Sequence, residues 1–283
     1  MAFFGPAGNS DSFFQQGYKQ SEQVPLYLEN MGLNAFEYQC GRGVNIGAEK
    51  CALLKTEAEK HNIKMSVHAP YYISLSSIDE EKRINSIKYI LQSAKAVKLM
   101  GGNRIVVHTG TAGKLPREEA VEKAADTLKL AIKALKDNNL YDVRICPETM
   151  GKINQLGTLS EVLYLCTLDE NFIPCIDFGH LNARTMGGLK TKEDYEVLFN
   201  EMENVLGVSR VKEFHSHFSK IEFSAGGEKR HLTFGDSVYG PNFEEMLEVA
   251  YKKGCNPTII CESAGTQAED AKMMMNYWNN LGE

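Results

Sequence analysis

The 283-residue chain contains no CxxC pair, no GxGxxG or P-loop glycine pattern, no GxSxG, no surplus of basic residues and no apolar run approaching the roughly 20 residues of a membrane span. Each absence removes a class of protein. The seven cysteines (Cys40, Cys51, Cys146, Cys166, Cys175, Cys255 and Cys261) are odd in number and scattered. They fit reduced, buried thiols better than a disulfide frame or a thiolate zinc site. Met1 to Gly5 runs directly into polar sequence without a basic leader, so the expected compartment is the cytoplasm and no membrane partner is expected. Neither a dinucleotide cradle nor a serine nucleophile elbow is present, and helix-turn-helix, RRM and zinc-finger spacings are missing as well. A net charge of −6 does not advertise a nucleic-acid binder. It does not remove one either, because cations held in a cleft supply positive charge that a composition count omits. No Pro/Ser linker or low-complexity tract divides the chain, so residues 1–283 are expected to form one domain, and the protein a monomer.

What is present is regular alternation. With 43% apolar and 24% charged residues the chain can bury a large core. Eight short runs rich in Val, Ile and Phe read as strands: Ala2 to Gly5, Ala35 to Cys40, Met65 to Ala69, Arg104 to His108, Val143 to Glu148, Phe172 to Phe178, Val211 to His217 and Thr258 to Glu262. Their continuous apolar character suits parallel strands covered on both faces. Between them lie stretches with helical spacing. Asp79 to Met100 carries the stripe Ile84, Ile87, Leu91, Ala94 and Val97, and the helix opened by Pro116 carries Val121, Ala125, Leu128, Ile132 and Leu135. Strand then helix, repeated eight times, predicts a (β/α)8 TIM barrel, with a doubly wound open sheet as the alternative.

In such a barrel the loops after the strands build the active site. Strands three to eight end with His68, with His108, with Glu148, with Asp177 and His180, with His215 and His217, and with Glu262. A single histidine or acid at a strand end is more often a hydrogen-bonded structural residue than a ligand. Three acids and several imidazoles converging on one rim are different, because without cations they would repel or stay unsatisfied. Imidazole plus carboxylate without cysteine suits zinc, with manganese or iron as alternatives.

The series His68, His108, Glu148, Asp177-x-x-His180, His215, His231 and Glu262 resembles the endonuclease IV family of apurinic/apyrimidinic endonucleases, within the xylose-isomerase-like group of TIM barrels, over essentially the whole chain. The resemblance implies a zinc centre of two or three ions that cleaves DNA on the 5′ side of an abasic site. It implies His68 and His108 on one zinc, and Glu148 bridging to a second that Asp177, His215 and Glu262 complete. His180 and His231 would hold the third. Glu148 and Glu262 are the implied catalytic residues. Tyr71 matches the family tyrosine that contacts distorted DNA, and Arg42, Tyr72 and Arg230 are further expected DNA contacts on the rim.

The sequence departs from the family in two places. Lys229-Arg230-His231 stands where the family has Asp-Arg-His, and Phe218 stands where HxND has its Asp. A charged lysine cannot ligate, which leaves Glu228 and His217 as candidate additional ligands. Glu148, Asp177, His215 and Glu262 equally satisfy the four-residue pattern of metal-dependent sugar isomerases and epimerases of the same barrel group. The surplus of His68, His108, His180 and His231 favours the nuclease. A regulatory protein with a decayed metal site is the third alternative.

Overall fold

A computed structural model describes residues 1–282. Its strands are β1 (Phe3–Pro6), β2 (Ala35–Gln39), β3 (Lys64–His68), β4 (Arg104–His108), β5 (Arg144–Glu148), β6 (Cys175–Asp177), β7 (His215–Phe218), β8 (Lys220–Ser224), β9 (Gly227–Leu232) and β10 (Thr258–Cys261). Eight of them form one parallel sheet in the order β1-β10-β7-β6-β5-β4-β3-β2, and β8 and β9 form a separate antiparallel hairpin. The eight-stranded sheet closes on itself: Ala7 beyond β1 bridges Glu37 of β2, and Gly8 N–H donates to Glu37 O at 3.0 Å. This is the (β/α)8 barrel, and closure removes the open-sheet alternative.

The two faces of each strand pack differently because successive side chains point to opposite sides. Outward residues such as Met65, Val67, Ile105, Val107, Ile145, Ile176 and Ile259 join the helices in the main apolar core. Inward residues form small separate clusters, Val106 with Cys146, Ile173 and Cys175, and Ala7 with Ala35 and Ile260. All seven cysteines are free and buried. No described helix is long and apolar enough to cross a membrane.

Several elements differ from the sequence expectation. Strand six is only Cys175–Asp177, since Pro174 has no N–H to enter the ladder and Asp177 caps a helix, Phe178–Arg184, that was not expected. Strand seven begins at His215 because Val208–Val211 forms a helical turn. The helix Arg117–Asp137 buries Ala125, Leu128, Ile132 and Leu135 as its stripe predicts. The helix Glu80–Leu99 is instead rotated, burying Ser86, Ile90, Ser93, Ala94 and Val97 and exposing Ile84. Ser86 tolerates burial because its hydroxyl accepts from Ser74 N–H and donates to Lys82 O, both at 2.8 Å.

Candidate metal centre

Strand register decides which expected ligands meet. On neighbouring strands Asp177 lies beside His217, whereas His215 lies beside Cys175, two residues deeper and roughly 6 to 7 Å further down the barrel. The expectation for His215 is therefore corrected: it points inward but below the rim, where its Nε2 donates to Glu37 Oε2 at 3.0 Å. His217 takes the place at the rim.

Glu148 is the centre of the arrangement. It is fully buried at the end of β5 and has four imidazoles around it. His217 Nδ1 is 3.0 Å and His180 Nδ1 3.5 Å from Oε1, while His108 Nε2 is 3.2 Å and His68 Nε2 3.4 Å from Oε2. Among the groups of ligand atoms compact enough to hold an ion are His68, His108 and Glu148; Glu148, Asp177, His217 and Glu262; and His180, Glu228 and His231, beside the overlapping set His68, His217 and Glu262 and, deeper in the barrel, Cys175, His215 and His217. Four of the imidazoles also have one nitrogen tied down. His68 Nδ1 donates to Ala69 O at 2.8 Å, His180 Nδ1 to Thr149 O at 3.0 Å, and His217 Nε2 to Glu37 Oε1 at 2.8 Å; His231 Nδ1 pairs with Ser219 Oγ at 2.8 Å. Such outer bonds select the tautomer that leaves the other nitrogen's lone pair facing an ion.

The third group answers the question posed by Lys229. In a regular strand Glu228 and His231, three apart, would face opposite sides. The hairpin ladder instead steps from Glu222 opposite Arg230 to Phe223 opposite Glu228, so Lys229 is an extra, bulged residue. The bulge turns Glu228 to the same side as His231, with Glu228 Oε2 3.4 Å from His180 Nε2 and Oε1 3.9 Å from His231 Nε2. Lys229 and Arg230 point away and pair with Glu222 at 2.5 and 2.6 Å. Close packing holds this corner: a Cβ on Gly151 would lie 2.6 Å from Glu228 Cβ and 2.9 Å from His180 Cδ2.

The electrostatics fit cations. Glu148 Oε2 and Asp177 Oδ2 are buried and accept no hydrogen bond among the described residues. Burial, with Glu262 and Glu148 close by, pushes the Asp177 carboxyl up against the pull of His180. Burial would also raise Glu148, but the charge of His217 and the nearness of His108 and His180 draw it well below the usual range. His215 goes the other way, lowered by burial to about 4 despite Glu37, so it stays neutral. Orphaned carboxylate oxygens and the imidazoles at the rim are a hard-to-borderline donor set without thiolate, which suits zinc.

Beside the centre lies a cavity of about 320 Å³ whose wall includes Tyr71, Met150, Lys152, Gln155 and Glu228. Tyr71 is 58% exposed and stacks on His108 with centroids 5.3 Å apart. Tyr72, equally exposed, turns away toward Tyr89 and does not line this cavity. Arg42 is exposed on the loop after β2, and Arg230 is exposed on the outer side of the hairpin. Glu37, Lys152 and Gln155 were missed by sequence reasoning; only Glu37 left a signal, as the lone acid inside the apolar strand AFEYQ.

The xylose isomerase-like TIM barrel family matches residues 26–279 of the chain. An uncharacterized protein of Methanocaldococcus jannaschii is 35% identical over 254 residues, covering 90% of each chain. A probable endonuclease 4 of the Aster yellows witches'-broom phytoplasma is 29% identical over 244 residues, 81% of this chain and 80% of its own. Among solved structures, a D-tagatose 3-epimerase-like protein superposes with a TM-score of 0.72 at 20% identity, covering 99% of this chain and 97% of its own, which reports the fold alone.

Proposed function

The chain belongs to the family of xylose isomerase-like TIM barrels, and from that premise we propose that it is a zinc-dependent phosphodiesterase that nicks DNA 5′ to abasic sites. The observation that carries this reading is the third ligand group. Glu148, Asp177, His217 and Glu262 would suffice for a sugar isomerase, but His180, Glu228 and His231 form a separate group across the cavity, and His68 with His108 forms another on Glu148. Hydrolysis of a phosphodiester involves a non-bridging oxygen and a leaving oxygen of the diester and the attacking oxygen of water, which would give each ion a use.

When bound, the ions polarise a phosphoryl oxygen and lower the pKa of water toward about 7. The chain's own residues do the rest. Glu148 would span the first and second positions, Glu262 and Asp177 would flank the second, and the bulged hairpin would bring Glu228 and His231 to the third. Tyr71, stacked on His108, is a firm wall against which a displaced nucleotide packs. Lys152 at the mouth supplies a cation to the DNA backbone, as do Arg42 and, once freed from Glu222, Arg230. Repair of abasic DNA is thus the proposed role.

The second reading is a metal-dependent sugar isomerase or epimerase. It is favoured by one observation, that Glu148, Asp177, His217 and Glu262 alone complete a four-residue group. The two separate in a parallel assay of zinc- and manganese-loaded protein on a duplex carrying one abasic site and on ketoses of the tagatose type. A nick with a 3′-hydroxyl end, lost in Glu148→Gln, supports the nuclease; an intact duplex with epimerised sugar supports the rival.

A further inference from the structure

We propose that Glu37 is a positioning residue that orients the imidazole of His217 toward the metal centre and makes the second position the tightest of the three. The proposal rests on the reading of the rim as a metal centre. The middle of a TIM barrel is ordinarily filled with branched apolar side chains. Here β2 places a fully buried carboxylate there, beside Ser66 of β3. Burying a carboxylate is costly unless its oxygens are well bonded.

Those of Glu37 are. Oε1 accepts from His217 Nε2 at 2.8 Å and from Gln39 Nε2 at 3.4 Å, and Oε2 accepts from Ser66 Oγ at 2.9 Å and from His215 Nε2 at 3.0 Å. Four donors occupy the carboxylate, and Glu37 does not line the cavity beside the centre. It therefore neither ligates an ion nor touches substrate. What it does is fixed by its shortest bond, to His217. With the Nε2 proton donated downward to Glu37, His217 presents Nδ1 upward, 3.0 Å from Glu148 Oε1 and 3.5 Å from Glu262 Oε1.

The other tethered imidazoles bond the carbonyls of Ala69 and Thr149 and the hydroxyl of Ser219, and the carboxylate near His180 Nδ1, Asp177 Oδ2 at 3.1 Å, is itself one of the candidate ligands. His217 is the one of these four backed by a carboxylate outside the ligand groups, which orients it more firmly and raises the basicity of its free nitrogen. The group Glu148, Asp177, His217 and Glu262 accordingly holds its ion most tightly. His215 has a clear part in this: below the rim, it steadies the second oxygen of Glu37 and does not ligate.

The test is cobalt titration of the chelator-stripped full-length chain, read by visible absorbance against a competing chromophoric chelator. Glu37→Gln keeps the shape but replaces one acceptor oxygen with a donor. The expected result is a loss of about 10- to 100-fold in affinity for the first cobalt equivalent, with shifted absorption bands and an unchanged far-ultraviolet circular dichroism spectrum. Unchanged affinity and spectrum in a folded Glu37→Gln overturn the proposal. Wild-type protein that takes up no cobalt overturns the metal centre and this role with it, and so is distinct from failure of the role alone. If Glu37→Gln does not fold, Ser66→Ala carries the test. It keeps the carboxylate but removes one of its tethers, and an affinity unchanged there overturns the proposal, whereas a several-fold loss supports it.

Discussion

At the residue scale, His215 and His217 have opposite fates although both point into the barrel. Their difference is height: His217 stands level with Asp177 and His215 with Cys175. His217→Ala is therefore expected to lower zinc content measured by elemental analysis, while His215→Ala keeps the rim ligands. The cost of His215→Ala falls on stability instead, about 1 to 3 kcal/mol by denaturant unfolding, because Glu37 loses a buried donor. The sequence shows that two histidines two apart share a strand face, but it cannot say which reaches the rim, since that depends on register with β6 and β10. Glu37 was hidden for a related reason: an acid inside an apolar run is indistinguishable from a solvent-facing one until closure of the barrel puts it inside.

Elements place the remaining ligands. The β8–β9 hairpin carries Lys229 as a bulge, so deleting Lys229 should straighten the ladder and leave Glu228 and His231 two apart on the same face. The expected outcome is unaltered zinc content with unchanged circular dichroism; one zinc fewer per chain would contradict the reading of Lys229 as an extra residue that takes no part in ligation. The loop after β5 is held by a second device. Arg117 Nε donates to Glu161 Oε1 at 2.5 Å, Arg117 also binds the carbonyls of Ile153 and Gln155, and Glu161 accepts from Gly157 and Thr158 N–H. Burial would raise the Glu161 carboxyl, but Arg117 and those N–H groups pull it below its ordinary value of 4.5. A lowered carboxyl stabilises above its unfolded pKa and loses that contribution as pH falls through the folded one. The advantage of wild type over Arg117→Met should then be full at neutral pH and fade below about pH 4.5 in urea titrations. Element existence was legible from periodicity. The rotation of Glu80–Leu99 was not, because buried Ser86 and Ser93 count as polar in any stripe. Nor was the hairpin, whose pairing a bulge interrupts.

For the whole molecule, the barrel itself was readable because eight apolar runs and eight helical stretches leave little other architecture. The direction of the ligands was also readable, since in this fold strand ends converge on one rim. What the sequence left open is the grouping of those ligands, which follows from barrel closure and from the hairpin folding back over the cavity. If ions tie β3 to β7, β10 and the hairpin together, their removal should cost global stability by mass action. Chelation should lower the melting temperature by several degrees and zinc should restore it, as read by calorimetry; an unchanged melting temperature would mean that the ligands are held without ions. The most direct test of the account counts those ions. Elemental analysis of reconstituted, desalted protein should find three zinc equivalents in wild type and two in Glu228→Gln. One equivalent or none in wild type, or equal content in the two proteins, would contradict it.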